Sequence, residues 1–280
     1  MVKTFQGISI VDPDFRKEGN QICCISVYPA EIQFAIFQTE QKRFQVLKSF
    51  NLTGQTGNSY DTNVVKDIFE EDEILSQIKS TAFVCVGNNP VSISPAGWEI
   101  KRNGSGFSSI HPVDKFKTIE NSIQKHTMQF QIENSTDLFL QSQFGKVKYF
   151  SLSEILYHRL AMKSEPVFHI HIQQHIITCL ALKNSKLIFC NSFLYRTSED
   201  ALYFILSSIK LVEFDPEKQD VHVEGEILPD SKIFQLLTKY VRFASFVTRE
   251  ESIQLGAAFG EIQHWFYLPL FYLPDADHQR

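Results

Sequence analysis

Histidine and cysteine side chains recur in the second half of the chain at spacings that could bring them together. His169 and His171 lie two residues apart in an apolar, strand-like run, so both belong to one face of that strand. If the following strands fold back through short hairpins, Cys179 lies opposite His169, and Cys190 lies opposite Cys179. Histidine and cysteine are zinc ligands, so this row is a candidate metal site.

The spacing between strands argues against that zinc site. Neighbouring strands lie about 4.8 Å apart, so the backbones at His169 and Cys190, two strands apart, would be separated by about 10 Å. One zinc ion with bonds of about 2.0 to 2.3 Å does not easily collect all three side chains. The row also assumes turns near Gln174 and between Asn184 and Ser185. We therefore favour core cysteines beside a hydrogen-bonded histidine, and keep a metal-dependent enzyme as a third hypothesis.

Two further clusters have the residue types of a binding site. Residues 103–106 read Asn-Gly-Ser-Gly, without the Lys-Ser/Thr of a P-loop or the third glycine of a dinucleotide fingerprint. Residues 70–73 read Glu-Glu-Asp-Glu, which suits a cation, a basic partner or simply a solvated helical face. A flexible loop and a solvated face are the favoured interpretations. No spacing nominates a Ser-His-Asp or Cys-His catalytic arrangement.

The elements that would position these residues form a pattern that occurs twice. Each copy reads strand, short turn, strand, short turn, strand, as expected for hairpins. The strands are Ile22–Val27, Ile32–Phe37 and Phe44–Phe50 in the first copy, and Val167–Ile172, Ile176–Leu182 and Lys186–Phe193 in the second. The first turn is Tyr28–Glu31 in the first copy and Gln173–His175 in the second.

Helices and strands alternate after each triplet, on the evidence of apolar periodicity and capping residues. The first half predicts a helix at Asn63–Ser80, a strand at Ala82–Val86, a strand at Leu138–Phe144 and a helix at Ser151–Met162, with 104–131 hard to assign. The second half predicts a helix capped near Thr197 and running to Val212, a strand at Val221–Val223, a helix at Ser231–Tyr240 and a strand at Phe243–Val247.

Composition limits the class of partner and the compartment. The formal net charge is −5 with scattered basic residues, which argues against nucleic acid as the main partner. The five cysteines are odd in number and lie in apolar runs, which indicates reduced thiols in the cytoplasm. No signal peptide is visible. The best candidate for a membrane span, residues 253–273, is interrupted by polar side chains, so we expect a buried C-terminal element instead.

Three meandering strands followed by alternating helix and strand predict an α/β fold with a mixed sheet covered on both faces. Two such copies predict two lobes, residues 1–163 and 164–280, with a crevice between them. This pattern resembles the actin-like ATPase fold, which is built from two ribonuclease-H-like lobes with five-stranded mixed sheets.

The chain also resembles a Bacteroidetes family, the domain of unknown function family 3822. The segments that carry this resemblance are Lys186–Phe193, Ser198–Phe204, Val221–Gly225, Lys239–Tyr240, residues 90–95 ahead of Trp98, and His264–Leu270. The resemblance spans most of the chain. It implies the fold but no activity, because the family has no established one.

The resemblance to actin-like ATPases implies where a nucleotide site would lie. In those proteins phosphate sits between two hairpin turns that usually read Asp-x-Gly, with the acid organising a magnesium-bound water. Here the turn at Tyr28–Glu31 has no glycine and includes Pro29, which lacks an N–H donor. The turn at Gln173–His175 has neither glycine nor acid. One glycine, Gly225, remains between two carboxylates where the ATPases have a glycine pair or triplet.

These observations predict a non-catalytic interaction or scaffold protein of the cytoplasm, with no cofactor and a protein partner. The residues expected to line the mouth of the crevice are Tyr28, Glu31, Gln173, His175 and Gly225. The alternative is a divergent ATP-binding protein or ATPase, although phosphoryl transfer depends on the magnesium positioning that these turns lack. Neither the partner nor the oligomeric state follows from the sequence.

Overall fold

The computed structural model of the protein describes residues 3–53, 62–87, 91–95, 115–123, 125–162, 165–260 and 262–278. The glycine-rich loop predicted at 103–106 and the region around Trp98 lie outside the described residues. The chain divides into two compact units. The first unit comprises Met1–Glu154, Ile253–Gly260 and Pro269–Arg280, and the second comprises Ile155–Ser252 and Glu261–Leu268. The lobes predicted at 1–163 and 164–280 stay a prediction.

Strands and helices alternate through much of the described chain. The strands are β1 (Lys3–Val11), β2 (Gln21–Tyr28), β3 (Glu31–Gln38), β4 (Arg43–Thr53), β5 (Thr81–Val86), β6 (Ser92–Pro95), β7 (Phe116–Ile123), β8 (His126–Glu133), β9 (Lys146–Ser151), β10 (Val167–Gln173), β11 (Ile176–Lys183), β12 (Lys186–Leu194), β13 (Val221–Gly225), β14 (Ala244–Phe246) and β15 (Gln254–Leu255). The helices are α1 (Thr62–Glu71), α2 (Asn134–Gln143), α3 (Leu152–Ala161), α4 (Ser198–Leu211), α5 (Lys232–Leu237), α6 (Leu268–Phe271) and α7 (Leu273–His278).

The main sheet of the first unit has the order β1-β4-β3-β2-β5-β9, with β15 paired to β4. Its central part is the predicted antiparallel meander β2-β3-β4, followed by β5 and β9 parallel to β2. Strands β1 and β15 extend it beyond the five strands expected from the sequence. A separate sheet has the order β6-β8-β7. Its strands β7 and β8 account for part of the range 104–131, which could not be assigned from the sequence.

Both faces of the first unit's main sheet are covered, as its nearly continuous apolar strands require. On one face Phe34 packs edge-on against Phe69 of α1, with ring centroids 5.2 Å apart. On the other face Phe44 contacts Phe271 at 4.9 Å. The segment from Leu268 to Leu273 is almost fully buried, as predicted for the C-terminal element, whereas Gln254, Ala257 and Gln263 earlier in the range 253–273 are exposed. Full burial of a side chain such as Phe271 contributes about 1.5 to 3 kcal/mol to folding.

The first helix is shorter than the predicted Asn63–Ser80. It ends at Glu71 because the carboxylate of Asp72 accepts hydrogen bonds from the backbone N–H groups of Ile74 and Leu75, each at 3.0 Å, and starts a short 3₁₀ turn. Asp72 also pairs with Lys48. The other acids of the 70–73 cluster are exposed, so three of the four side chains are solvated and one is structural.

The strand predicted at Leu138–Phe144 is wrong, because these residues belong to α2. The buried residues Thr136, Phe139 and Leu140 follow helical spacing, whereas Leu138 is 70% exposed. A short apolar run is compatible with either structure, and here the adjoining strand β8 leads directly into the helix.

The sheet of the second unit has the order β12-β11-β10-β13-β14. The strands β4-β3-β2-β5-β9 of the first unit have the same arrangement. One face is apolar and packs against α4, through residues such as Ile170, Val223 and Ile205. The predicted helix starts are confirmed: Thr197 caps α4 and Ser231 caps α5. The two units thus each contain a ribonuclease-H-like sheet.

The cap of α4 makes a quantitative prediction. Thr197 and Asp200 form a reciprocal capping box, with both hydrogen bonds at 3.1 Å. Thr197→Ala removes one acceptor from the helix start, so we expect a loss of about 1 kcal/mol in the free energy of unfolding. Urea denaturation monitored by circular dichroism measures this, with Ser207→Ala on the exposed side of the same helix as the control. An equal effect of both substitutions would contradict the role of the cap.

Candidate functional site

The first hairpin turn holds its candidate residues in the sheet. Tyr28 pairs with Glu31, so Pro29 and Ala30 alone form the connection. The Tyr28 ring is 1% exposed and lies against the backbone of Gly87, where a Cβ would overlap the ring. Glu31 is also buried, and its carboxylate accepts a hydrogen bond of 2.9 Å from the side-chain amide of Gln33. The acid of this turn is therefore held by the protein itself.

The second hairpin turn is fastened by hydrogen bonds on several sides. Gln173 pairs with Ile176, and the connecting residue Gln174 adopts a positive φ of 53°. The Gln174 N–H donates to the Glu226 carboxylate at 3.2 Å, and the Tyr195 hydroxyl donates to the Gln174 carbonyl. The Tyr195 N–H donates to the His175 carbonyl at 2.9 Å. The N–H of Gln174 thus already has a carboxylate acceptor.

Side-chain exposure differs sharply between the residues of this second turn. Gln173 is 2% exposed, whereas the His175 side chain is exposed and lies 6.0 Å from the Tyr195 ring, edge to face. Partial burial raises the pKa of the Glu226 carboxyl, while the hydrogen bond from Gln174 and the nearby His175 act in the opposite direction. His175 is therefore the candidate side chain at this turn that solvent reaches freely.

Gly225 has a structural reason for its identity. It adopts a φ of +95°, and a Cβ at this position would overlap the carbonyl of Ile172 on the neighbouring strand. The close approach allows the N–H of Glu226 to donate to the same carbonyl at 2.6 Å. Gly225 thereby sets the path of the chain that brings the Glu226 carboxylate to Gln174.

Ahead of Gly225, Glu224 is the centre of a buried charged cluster in the second unit that sequence reasoning missed. Its carboxylate accepts a hydrogen bond from Arg159 and lies 3.3 Å from Nε2 of His169 and from Nδ1 of His171. Glu224 and His169 are fully buried, and Arg159 and His171 are nearly so. The register of the sheet explains the meeting, because Glu224 pairs with His171 across the parallel strands β10 and β13.

The electrostatics of the cluster follow from its burial. Burial alone would raise the pKa of Glu224, but the Arg159 guanidinium and the two histidines outweigh it and hold that pKa well below its ordinary value. Burial lowers the pKa of His169 to about 4, although Glu224 favours its charged form. At neutral pH the cluster is therefore an ion pair of Arg159 and Glu224 beside a neutral His169.

The row of possible zinc ligands does not form. The two-residue turn at Gln174 and His175 places Leu180, not Cys179, opposite His169. The turn between Asn184 and Ser185 is where the sequence predicted it, but a bulge near the start of β12 then moves Cys190 opposite Leu180. Cys179 therefore belongs to the opposite face from His169. Within the described residues, no group of three or more His, Cys, Asp or Glu side chains has the geometry to hold a metal ion.

The five predicted site residues fall into two groups. Tyr28 and Glu31 lie together in the first unit, and Gln173, His175 and Gly225 lie together in the second. The sequence did not indicate that Glu226 would bind the turn or that Arg159 would reach Glu224. The one available signal was the pair of carboxylates that flank Gly225 in the sequence.

The fold described here is that of the actin-like ATPases. The model of the family described as Protein of unknown function (DUF3822) matches residues 12–243, and the chain belongs to this family. No curated protein matches the chain in sequence. Within the part of the chain that the structure describes, no helix is long and apolar enough to cross a membrane.

Solved structures share the fold at low sequence identity. A Bacteroides thetaiotaomicron protein with actin-like ATPase fold and unknown function is 19% identical, with a TM-score of 0.68 over 84% of this chain and 93% of that one. The PilM-PilN type IV pilus biogenesis complex is 11% identical, with a TM-score of 0.57 over 93% of this chain and 98% of that one. The ethanolamine utilization protein EutJ from Carboxydothermus hydrogenoformans is 7% identical, with a TM-score of 0.52 over 94% of this chain and 91% of that one.

The buried ion pair predicts a large asymmetry between removing one charge and removing both. Glu224→Gln leaves the Arg159 guanidinium buried without a carboxylate, so we expect a loss of about 3 to 5 kcal/mol in the free energy of unfolding. The double variant Arg159→Met with Glu224→Gln removes both charges and should recover part of that loss. Denaturant unfolding measures both, and Glu217→Gln at an exposed position is the control. A double variant less stable than Glu224→Gln would contradict this interpretation.

The lowered pKa of His169 predicts acid sensitivity. The unfolded chain takes up a proton near pH 6.5 while the folded chain does so only near pH 4, so stability is complete above pH 6.5 and falls as the pH drops. Between pH 6.5 and 5 this amounts to about 2 kcal/mol, since each unit of pKa shift corresponds to about 1.4 kcal/mol. Above pH 5 protonation of Glu224 adds little, because the Arg159 guanidinium holds its pKa well below the ordinary value.

Unfolding free energies at several pH values between 5 and 7.5 test the acid sensitivity. His169→Gln should flatten the dependence on pH, whatever its effect on the absolute stability. His175→Gln, at an exposed position, should leave the slope of the wild-type protein. The assignment to His169 is wrong if both variants keep the same slope.

Proposed function

We propose that this chain is a non-catalytic protein of the actin-like fold that works by binding another protein, with a degenerate nucleotide site. The observation that carries the proposal is the hydrogen bond of 3.2 Å from the Gln174 N–H to the Glu226 carboxylate. A phosphate group held at this turn would need that donor and would meet the negative charge of Glu226. The chain therefore uses its own carboxylate where a nucleotide-binding turn would leave the donor open.

The first turn supports the same conclusion. Pro29 contributes no N–H, and the carboxylate of Glu31 is buried and accepts a hydrogen bond from Gln33. A magnesium-bound water needs an accessible acid to orient it, and phosphoryl transfer depends on that positioning. Neither Tyr28 nor Glu31 presents a polar atom at the tip of the turn, since both side chains are buried.

Binding to a protein partner is supported by the fold and by the charge. The PilM-PilN complex, a pilus biogenesis assembly with this fold, is an example of such a body engaged with another protein. A net charge of −5 without a basic cluster makes nucleic acid a poor partner. The common strand order of the two sheets supports an internal duplication, and the odd number of cysteines supports a cytoplasmic location.

The alternative is a divergent ATP-binding protein or ATPase. It is favoured by the fold, since a matching structure carries the description actin-like ATPase fold. The exposed imidazole of His175 beside the second turn is the group that could contact a phosphate there. This alternative requires the Glu226 carboxylate to move away from Gln174 before a phosphate can bind.

Thermal unfolding with and without millimolar magnesium ATP separates these functions. A ligand present at a hundred times its Kd stabilises a protein by about 2.7 kcal/mol, so a working site raises the Tm. We expect no rise for the wild-type protein. A rise that depends on the ATP concentration would favour the alternative and overturn the degenerate site.

A charge-removal variant tests the role of Glu226 directly. Glu226→Ala frees the Gln174 N–H, so we expect it to bind tripolyphosphate more tightly than the wild-type protein in calorimetric titrations. Asp230→Ala removes an exposed acid from the same unit and should leave the affinity unchanged. Equal tripolyphosphate binding by all three proteins would mean that Glu226 does not block the turn. Affinity purification from the native cell then tests the partner, and a protein recovered alone and monodisperse would count against a scaffold.

A further inference from the structure

Strand β12 is an open edge of the second unit's sheet. Among the described residues it pairs with β11 alone, and it is nine residues long, whereas the strand at the other edge, β14, has three. Two of its large apolar side chains are exposed: Ile188 at 45% and Leu194 at 65%. An open edge presents a row of backbone donors and acceptors to any strand that can pair with them.

The sequence of this edge is symmetric in side-chain type about Asn191. Moving outward from Asn191, the chain has small side chains at Cys190 and Ser192, phenylalanines at 189 and 193, and large aliphatic side chains at Ile188 and Leu194. A strand with this symmetry matches its own sequence read in the reverse direction. That is the property that antiparallel pairing of two identical strands requires.

The geometry of the symmetric segment is regular. Its pairing with β11 keeps one register from Phe189 to Leu194, whereas Ile188 lies in the bulge between the pairs Leu182–Leu187 and Ala181–Phe189. Thr178 and Ser192 share a face and a hydrogen bond of 2.8 Å. Phe189 and Phe193 pack partly against the apolar core on the other face. From Phe189 onward the segment is thus held straight by β11 and offers its outer edge to a partner, although the Ser192 N–H donates to the side-chain oxygen of Asn191 at 2.9 Å and must exchange that bond on pairing.

We propose that β12 pairs antiparallel with β12 of a second copy of this chain, across a two-fold axis at Asn191. Phe189 then lies opposite Phe193 of the second copy, and Cys190 lies opposite Ser192 of the second copy. Directly opposed side chains stand about 4.5 to 5.5 Å apart at Cβ, so both pairs come into contact. The pairing forms one continuous sheet through the two copies.

A second copy fits this edge better than an unrelated strand. Edge strands that must avoid partners usually have charged residues or proline within them, and none occurs between Leu187 and Leu194. Four contacts, two on each face, arise from one symmetric operation because each residue meets its counterpart twice. An unrelated strand would have to supply the same reversed pattern independently.

The same register brings like charges together at the ends. Lys186 and Arg196 of the second copy lie just outside the two ends of the paired segment, and their repulsion acts through solvent because both side chains are exposed. Salt screens it, with a Debye length of about 10 Å at 0.1 M and about 3 Å at 1 M. The proposed dimer is therefore expected to tighten as the salt concentration rises, the opposite of an interface held by ion pairs.

Sedimentation equilibrium of the full chain over a wide concentration range tests the proposal. We expect reversible dimers for the wild-type protein. Asn191→Lys places two like charges directly opposite each other across the axis, and Ser192→Lys places a charge against Cys190 twice in the dimer, so each should raise the dissociation constant by about tenfold or more. Leu211→Lys substitutes a side chain that is 71% exposed on α4, and should leave the dimer intact. Circular dichroism confirms that each variant is folded.

Cross-linking locates the axis. Asn191→Cys places two thiols opposite each other across it, at a Cα separation of about 4.5 to 5.5 Å that a disulfide can span. Mild oxidation should give a covalent dimer of this variant but not of Ser207→Cys, which lies on the exposed side of α4. A wild-type protein that is monomeric at every concentration overturns the proposal. So does a dimer that is indifferent to both lysine substitutions, or one that cross-links equally through residue 207.

Discussion

The second unit depends on keeping one carboxylate, that of Glu224, charged in the middle of a buried sheet. A charge removed from water is tolerated only when an opposite charge and hydrogen bonds replace the solvent. Arg159 supplies the opposite charge, and His169 and His171 lie within 3.3 Å of the same carboxylate. Strand β13, the strand β10 beside it and the helix that carries Arg159 are thus bound to one another by polar contacts as well as by apolar packing.

The path of the chain beyond Glu224 connects this cluster to the hairpin turn. Gly225 allows the backbone to pass directly against Ile172, and Glu226 then reaches the N–H of Gln174. Two successive carboxylates therefore have opposite situations: Glu224 is fully buried, and Glu226 lies near the surface at the turn. Residues two positions apart on a strand would share a face, so the difference arises because β13 ends at Gly225, whose positive φ redirects the chain.

The first unit binds the polar groups of its hairpin turn in a different way. Its hairpin turn has no N–H at Pro29, and the acid beside it, Glu31, accepts a hydrogen bond from the side-chain amide of Gln33. The Tyr28 ring fills the space beside Gly87 that the side chain of a larger residue at position 87 would need. In both units the polar groups at the turns are engaged by neighbouring residues of the same unit, and this is the physical basis for proposing a body that recognises other proteins rather than nucleotides.

Several features could be predicted from residues close in sequence. The hairpin turns at 28–31 and 173–176 follow from apolar runs separated by a few polar residues, and the cap at Thr197 follows from its spacing to Asp200. Others could not. The expected strand at Leu138–Phe144 is a helix, because periodicity over a short apolar run does not distinguish the two. The predicted opposition of His169 and Cys179 failed by one residue, and a single-residue shift moves a side chain to the other face of a sheet.

The sequence by itself determined the fold family, the antiparallel order of the hairpin-connected strands and the absence of a glycine from the two hairpin turns, since these depend on local patterns of side-chain type. Only the tertiary structure decided that Arg159 meets Glu224 and that Glu226 engages Gln174, across separations of 65 and 52 residues. Such contacts depend on strand register and on the close approach at Gly225. Both are set by the packing of whole sheets, which no short stretch of sequence contains.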